Sequence, residues 1–319
     1  QKKEIPKVQK DIFAMDTYMS ITGYGDRAEE AVDASLKEIQ RLDKMLSVGN
    51  PSSEISLINN AGTGSVSEDT AVMIAKALEV GDRTNGRFDI TIYPLMVEWG
   101  FTSDNFHVPE KDRLDQLLTR VDYKEVQLDR ENNTVTIGEE QGIDLGGIAK
   151  GFTSDRIMEI FREYGLTSGM VTLGGNVECL GTKTDGSLWR CGIKDPYNTE
   201  AMLGVVSIQD RAVITSGAYE RNFTDEKTGK LYHHIIDPLT GYSAEEGLIS
   251  VTIVSESGML ADALSTSMYI LGLDGAIDYW KTYGSDFDMI LMTDTDQVYI
   301  TEGIKDCFTS DYETIVVEK

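Results

Sequence analysis

A glycine-rich segment that contains both a carboxylate and a lysine is well suited to binding a charged ligand. Residues 144–151 read DLGGIAKG, which predicts a strand end, a two-glycine turn and the start of a helix. Glycines let the backbone approach a ligand closely, and a helix N-terminus presents free N–H groups. Lys150 adds positive charge in a very acidic chain. The pattern favours an anion or metal site, and a tight turn capped by Asp144 is the alternative.

Two adjacent histidines precede a turn in the sequence HHIIDPLTG of residues 233–241. A histidine at a strand end can act as a general base, because its ordinary pKa lies near neutrality. Asp237 is placed to cap or orient the Pro-Leu-Thr-Gly turn that follows. Either histidine could instead serve the packing of the protein, and the sequence leaves both interpretations open.

A third segment pairs a carboxylate with a hydroxyl at helical spacing. Residues 259–267 read MLADALSTS, so a helix would place Asp262 and Thr266 one turn apart on the same face. Both side chains offer hard oxygen ligands, which suit Mg²⁺ or Ca²⁺. The neighbouring residues are apolar, so Asp262 is expected to be buried and to need a partner. That partner is either a metal ion or a hydrogen-bond donor of the protein.

The charge of the chain excludes several classes of function. Its 319 residues contain 29 basic and 54 acidic side chains, for a net charge of −25. A protein this acidic is poorly suited to neutralising nucleic-acid phosphates, and an anionic membrane surface would repel it. An anionic substrate would require a local cation, for which a divalent metal is the natural candidate. The three cysteines show no C-x-x-C pattern, so no disulfide framework or thiolate zinc site is predicted.

The elements that must position these residues alternate between strands and helices without a regular βαβ repeat. This arrangement predicts a mixed α+β fold with mainly antiparallel sheets. The TLGGN sequence of residues 172–176 fits either a pocket wall or an ordinary hairpin. Helices are predicted over residues 26–46, 54–60, 67–84, 114–118, 144–164, 257–271 and 276–283. Strands are predicted over residues 12–24, 86–93, 126–128, 134–137, 170–173, 189–193, 203–208, 212–215, 233–236, 248–253, 289–292 and 297–300.

The polar, lysine-rich start of the chain differs in composition from the remainder. We expect residues 1–11 to form a flexible leader or tether, and residues 12–319 to form a single domain with at most two subdomains. The first residue is not methionine, which is consistent with a removed signal peptide. We therefore expect an extracytoplasmic protein, periplasmic or at the cell surface, with a possible lipid anchor outside this sequence.

Taken together and in order, these motifs resemble the ApbE-type flavin transferases, the FAD:protein FMN transferase family. The resemblance extends from residue 12 to near the C-terminus and does not depend on one motif. Its eight stretches are residues 15–17 (MDT), 53–56 (SEIS), 86–91 (GRFDIT), 144–151 (DLGGIAKG), 174–177 (GGNV), 215–221 (TSGAYER), 234–241 (HIIDPLTG) and 262–266 (DALST).

The resemblance implies a T-fold-like architecture, with flanking helices around a central FAD site, and it implies roles for particular residues. It places a Mg²⁺ ion on the side chains of Asp262 and Thr266 and the backbone carbonyl of Gly147, with help from Ser265. It makes His234 the catalytic base, with Asp237 orienting the nearby turn. The FAD contacts that it implies are Met15, Phe88, Asp89, Asp144, Lys150 and the backbone near Ile236.

The implied reaction is the transfer of FMN from FAD to a Thr or Ser hydroxyl of an acceptor protein, with release of AMP. A Mg²⁺-dependent FAD pyrophosphatase is the first alternative, because water could replace the acceptor hydroxyl. A non-catalytic FAD-binding or carrier protein is the second, and it would have little need of Asp262. The implied partners are FAD and an acceptor flavoprotein, and no nucleic acid.

Overall fold

A computed structural model describes residues 4–319 and contains seven α-helices in that range. Serine hydroxyls cap three of them, since Ser53, Ser67 and Ser257 each accept a hydrogen bond from the first-turn backbone. Short 3₁₀ turns occupy Ile90–Ile92, Tyr123–Glu125 and Glu302–Ile304. The α-helices are α1 (Ala28–Leu46), α2 (Glu54–Ala61), α3 (Glu68–Arg83), α4 (Tyr93–Trp99), α5 (Lys111–Leu118), α6 (Gly146–Glu163) and α7 (Gly258–Tyr283).

The same residues contain seventeen strands, most of them short. They are β1 (Lys7–Ala14), β2 (Thr17–Tyr24), β3 (Thr63–Ser65), β4 (Gln127–Asp129), β5 (Thr134–Thr136), β6 (Ser168–Leu173), β7 (Asn176–Gly181), β8 (Trp189–Lys194), β9 (Met202–Ile208), β10 (Ala212–Gly217), β11 (Asn222–Thr224), β12 (Leu231–His233), β13 (Leu248–Ser255), β14 (Phe287–Thr293), β15 (Val298–Thr301), β16 (Phe308–Thr309) and β17 (Thr314–Val317).

Nine strands form one large sheet in the order β1-β2-β6-β7-β10-β13-β14-β15-β17. Every neighbouring pair in it is antiparallel except β15 and β17, which are parallel. Smaller sheets are formed by β16-β9-β8, β3-β5-β4 and β11-β12. The predicted mixed α+β fold with a mainly antiparallel sheet is thereby confirmed.

Alternating side chains bury both faces of the large sheet. Ile214 and Ile253 belong to the apolar cluster that includes α7, whereas their neighbours Val213 and Val254 belong to the cluster of the β16-β9-β8 sheet. Helix α7 packs on β10 and β13, and α6 packs on β6, β7 and α7. The first turns of α6 and α7 are thus held side by side over the sheet.

Helix α7 is interrupted where the sequence predicts a gap between two helices. Gly272 has φ 76° and ψ −179°, a backbone conformation that favours glycine. The helical stretches on either side of it correspond to the predicted helices at 257–271 and 276–283. No helix within residues 4–319 combines the length and apolar character needed to cross a membrane.

Four sequence predictions require correction. Strand β1 occupies residues 7–11, which were expected to belong to a flexible leader; residues 1–3 lie outside the described part of the chain. The strand predicted over residues 86–93 is absent, because the Asp89 side chain caps a 3₁₀ turn there. The strand predicted over 233–236 ends at His233. Strands β3, β7, β11, β16 and β17 lack a strong alternating signal and were missed.

Candidate active site

The turn before α6 forms the first wall of the candidate site. Asp144 Oδ1 accepts the Gly146 amide at 2.8 Å, so Asp144 caps this turn. Its side chain is half-buried, and desolvation raises its pKa against the lowering effect of Lys150. The Phe88 ring is so close to Gly147 that a Cβ there would lie 3.1 Å from it. Glycine at position 147 therefore lets the backbone lie directly against the Phe88 ring.

The beginning of α7 supplies the second wall. Asp262 is buried, and its Oδ2 accepts the Gly151 amide at 2.8 Å. Desolvation raises the pKa of Asp262, and Lys150 opposes that shift. Thr266 follows one helical turn later and is half-buried. Ser265 is engaged within the protein, since its hydroxyl accepts from Ser216 Oγ at 2.8 Å and donates to the Asp262 carbonyl at 2.9 Å.

These groups form an oxygen-rich set that fits a hard cation. The Gly151 amide donates to Asp262, and the Gly147 carbonyl, one turn earlier in α6, has two lone pairs and can accept a further contact. No cluster of three or more His, Cys, Asp or Glu side chains suited to a metal occurs within residues 4–319. One carboxylate, one hydroxyl and one carbonyl match the way Mg²⁺ is held when substrate phosphates complete its shell.

His234 lies just past the end of β12 with one ring nitrogen committed to the backbone. Its Nδ1 is 3.2 Å from the Arg221 carbonyl, which can only accept, so Nδ1 carries the proton and donates. The Nε2 atom therefore keeps its lone pair. Burial lowers the pKa of His234 to about 4, so the imidazole is neutral at pH 7. This is the state required of a proton acceptor.

His233 has a different environment despite its adjacent position. Its Nε2 donates to the Ala244 carbonyl at 3.0 Å, and its Nδ1 accepts the Ile235 amide at 3.2 Å. Both ring nitrogens are thus used within the buried fold, and burial lowers the pKa of His233. Packing therefore accounts for both ring nitrogens of His233, whereas His234 keeps one nitrogen without a partner in residues 4–319, and its role as a base stays a prediction.

The Asp237 carboxylate serves the turn that follows His234. Its Oδ1 accepts the Leu239 amide at 2.9 Å, and its backbone carbonyl accepts the Gly241 amide at 2.9 Å. The backbone of Ile236 is tied to the same turn through a bridge to Ser243. Asp237 therefore supports the local backbone. The His234 ring donates its hydrogen bond to a different residue, Arg221.

The remaining predicted FAD contacts differ in how accessible they are. Met15 lies in the two-residue turn between β1 and β2 with φ 49°, and its sulfur is 3.7 Å from the Thr153 hydroxyl of α6. Phe88 is buried beside the start of α6. Asp89 is also buried and directs both carboxylate oxygens inward, to Thr91 and to the Tyr123 amide. A direct contact between Asp89 and a ligand would have to share these oxygens.

Glu220 and Asn176 lie near these groups but were not among the predicted site residues. Glu220 is exposed as a residue, but its carboxyl lies against Gly175 and is partly desolvated, which raises its pKa to about 7 against the effect of Lys150. The buried Asn176, at the β6–β7 hairpin, is close enough to Asp262 to lower its pKa. The side-chain amide of Asn176 is directed at the Asp262 carboxylate, although its Nδ2 forms no hydrogen bond of ordinary geometry within residues 4–319. Only their occurrence within the TSGAYER and GGNV stretches signalled them.

Comparison with known proteins identifies the family. The model of the ApbE family matches residues 15–291. This chain belongs to the ApbE family. An FAD:protein FMN transferase of Treponema pallidum (strain Nichols) is 34% identical over 280 residues, covering 81% of this chain and 77% of that relative. Another, from Haemophilus influenzae, is 30% identical over 297 residues, covering 89% and 83%.

Solved structures of ApbE proteins share the fold. The ApbE protein of Thermotoga maritima MSB8 aligns with a TM-score of 0.86 at 31% identity, covering 94% of this chain and 98% of its own. The flavin transferase ApbE of Vibrio cholerae aligns with a TM-score of 0.85 at 24% identity, covering 95% and 100%. The resemblance inferred from the ordered motifs is confirmed, and the large antiparallel sheet with flanking helices is the fold of these ApbE structures.

Proposed function

We propose that this chain is an FAD:protein FMN transferase, which moves FMN from FAD to a Thr or Ser hydroxyl of an acceptor protein and releases AMP. Membership of the ApbE family and the names of its relatives support the reaction. The single observation that carries the chemistry is His234, a neutral imidazole with a free Nε2. Lys150 is near enough to act on the pKa of both His234 and Asp262.

We propose that Mg²⁺ binds to the Asp262 carboxylate, the Thr266 hydroxyl and the Gly147 carbonyl. Ser265 supports this group from within the helix rather than as a direct ligand, since its hydroxyl already bonds Ser216 and Asp262. When bound, the ion would offset the charge of the FAD pyrophosphate and polarise the phosphorus under attack. The ammonium of Lys150, which already acts on the pKa of Asp262, suits the same phosphates.

The proton transfer follows from the tautomer of His234. Its Nε2 accepts the proton of the acceptor hydroxyl, and the hydroxyl oxygen forms a bond to the phosphorus on the FMN side of the pyrophosphate. The bond between that phosphorus and the bridging oxygen breaks, and AMP leaves with the electron pair. Lys150 stabilises the negative charge that develops. Water in place of the acceptor hydroxyl would yield FMN and AMP, with the same base.

We further propose a T-fold-like architecture around a central FAD site. The residues that line this site are Met15, Phe88, Asp144, Lys150 and the backbone at Ile236. These positions border the start of α6 and the turn after His234. Asp89 would contribute by holding the Phe88 backbone through its bonds to Thr91 and Tyr123. An extracytoplasmic location, with a lipid anchor outside this sequence, remains part of the proposal and can be tested by fractionating cells that express the gene.

The deciding experiment incubates the protein with FAD and Mg²⁺, with and without a candidate acceptor domain, and measures AMP and covalent flavin. Flavin on the acceptor with stoichiometric AMP supports the transferase. FMN and AMP formed equally without acceptor would replace it with a pyrophosphatase, and intact bound FAD would replace it with a carrier. Asp262→Ala and EDTA should each abolish AMP release, because either removes the proposed metal.

A further inference from the structure

Helices α6 and α7 cross at two glycines, so their backbones lie in direct contact. A Cβ on Gly151 would lie 2.1 Å from the Gly258 carbonyl oxygen and 2.7 Å from Asp262 Cβ. A Cβ on Gly258 would lie 2.7 Å from the Gly151 carbonyl oxygen. Neither glycine contributes a side chain to the crossing, and the side chains that surround it, those of Ser154, Glu178 and Asp262, are polar.

Asp155 of α6 binds the N-terminus of α7. Its Oδ1 accepts the Gly258 amide at 2.7 Å, and its Oδ2 accepts the Met259 amide at 2.9 Å. These are two of the four amides that a helix start leaves without intrahelical partners. Ser257 satisfies the next one, since its Oγ accepts the Leu260 amide at 3.1 Å. A carboxylate at this position also interacts favourably with the helix dipole.

The connection between the helices is reciprocal. Asp155 of α6 holds the first turn of α7, and Asp262, one turn further along α7, accepts the Gly151 amide of α6. Gly151 is itself one turn from Gly147 along α6. The three proposed ligand positions are at residues 147, 262 and 266. Their relative placement therefore depends on this pair of carboxylate–amide contacts between α6 and α7.

A second carboxyl group lies behind Asp155 at the crossing. Glu178 of β7 is buried, and its Oε2 would be 2.7 Å from a Cβ on Gly258. Burial and the nearby Asp155 raise the pKa of Glu178, and burial also raises the pKa of Asp155 against the lowering effect of the two amides that it accepts. The adjoining cavity has a volume of about 210 Å³. Its charged lining residues besides Asp155 and Glu178 are Glu159, Arg162, Asp210 and Glu256.

We propose that Asp155 is a positioning residue, which fixes the first turn of α7 and thereby sets the placement of Asp262 and Thr266 opposite the Gly147 carbonyl. The proposal rests on the metal site proposed above. It adds a residue that touches neither substrate nor metal, and it predicts that loss of the Asp155 charge weakens metal binding more than it weakens flavin binding.

The test measures binding of Mn²⁺, as a substitute for Mg²⁺, by electron paramagnetic resonance in the presence of FAD. Asp155→Asn keeps the size of the side chain and removes its charge, and we expect Mn²⁺ affinity to fall about tenfold, as for residues that orient metal ligands elsewhere. FAD affinity without metal should stay within about twofold of the wild type. Unchanged Mn²⁺ affinity in Asp155→Asn would overturn the proposal.

Two control variants distinguish the role of Asp155 from a general packing effect and from the existence of the metal site. Glu178→Gln is a matched carboxyl-to-amide exchange in the same cavity that leaves both Asp155–amide contacts in place, so Mn²⁺ affinity should be retained. An equal loss in both variants would indicate a general packing effect and overturn the role of Asp155. Asp262→Ala should abolish Mn²⁺ binding. If Asp262→Ala binds Mn²⁺ normally, the metal site itself is wrong, whereas loss in Asp262→Ala with retention in Asp155→Asn refutes only the positioning role.

A second variant covers the case in which Asp155→Asn does not fold. Ser257→Ala removes the acceptor of the Leu260 amide in the same turn without changing any carboxylate. Weaker Mn²⁺ binding by this variant supports the dependence of the ligands on the first turn of α7. Wild-type affinity in Ser257→Ala would contradict it.

Discussion

Two neighbouring histidines show how strongly the chemistry of a residue depends on its hydrogen-bond partners. His233 uses both ring nitrogens within the fold, on Ala244 and Ile235. His234 uses only Nδ1, on the Arg221 carbonyl, and its Nε2 remains free to accept a proton. Burial lowers the pKa of both imidazoles, so neither charge nor residue type distinguishes them. The difference lies in which nitrogen can reach a substrate.

Substituting each histidine in turn should separate catalysis from stability. His234→Ala should lower the rate of flavin transfer at least about 10²–10⁴-fold, the usual contribution of a general base, and leave FAD retention largely intact. His233→Ala should instead destabilise the protein by about 1–3 kcal/mol, because it leaves the buried Ile235 amide and Ala244 carbonyl unpaired. Transfer rate, FAD retention and melting temperature are the measurements. Loss of FAD binding in His234→Ala would count against its role as a base.

The lowered pKa of His234 predicts an unusual dependence on pH. A pKa of about 4 means that the neutral, proton-accepting form persists as the pH falls from neutrality and is lost only below that value. An unperturbed imidazole, with a pKa of about 6.5, would already be mostly protonated at about pH 5.5. The C–H resonances of the His234 ring, assigned by their absence in His234→Ala, should therefore titrate near pH 4. A midpoint near 6.5 would refute the buried, neutral imidazole.

Among the elements, the crossing of α6 and α7 is the contact on which the site depends most directly. It brings the turn after Asp144 beside Asp262, which lies more than 100 residues later in the chain. Such close approach requires glycine on both helices, as the contacts of Gly151 and Gly258 show. A methyl group at the crossing meets main-chain atoms, which cannot rotate away as a side chain can.

Gly151→Ala should therefore be destabilising, although alanine normally favours a helix by about 1 kcal/mol over glycine. Its methyl group would lie 2.1 Å from the Gly258 oxygen, so the helices must separate, at an expected cost of about 1–3 kcal/mol. Gly49→Ala is the control, since its methyl group would meet only Ser47 Oγ at 3.5 Å. Chemical unfolding of both variants tests this, and a Gly151→Ala protein as stable as the wild type would show that the crossing can relax.

The whole molecule carries a net charge of −25, which acts over longer distances than any single contact. Ion pairs such as those of Arg41 with Glu38 and Asp69 use the basic groups, and acidic side chains exceed basic ones by 25. Mutual repulsion among them opposes the folded state. The same field would favour a basic acceptor surface and disfavour an acidic one.

Salt should consequently stabilise this protein. Raising NaCl from about 0.01 to 1 M shortens the Debye length from about 30 to 3 Å and screens the repulsion. We expect the melting temperature to rise by about 1–2 °C, which corresponds to roughly 1 kcal/mol at an unfolding entropy of about 2 cal/mol/K per residue. Thermal unfolding followed by circular dichroism measures it. A fall in melting temperature would mean that favourable ion pairs outweigh the excess negative charge.

Local patterns predicted most of the elements, because they depend on neighbouring residues. The Ser67 cap of α3, the break near Gly272 and the hairpin of β14 and β15 each follow from residues within one or two turns. The 3₁₀ turn after Asp89 was not predicted, because Asp89 is held partly by the distant Tyr123 amide. The three-residue strand β11 was not predicted either, because it is too short to show an alternating pattern. Strand β1 was missed over residues 7–11 since a polar edge strand resembles a leader.

By itself the sequence determined the family, the class of fold and the residue types available for flavin transfer, since ordered motifs and capping patterns are local properties of a chain. Only the tertiary structure decided which of those residues meet. It separated His234 from His233, directed Asp89 inward, and brought Asp155 and Asp262 together across two glycines. Hydrogen-bond partners and burial arise from contacts between distant segments, and these set the protonation and accessibility on which catalysis depends.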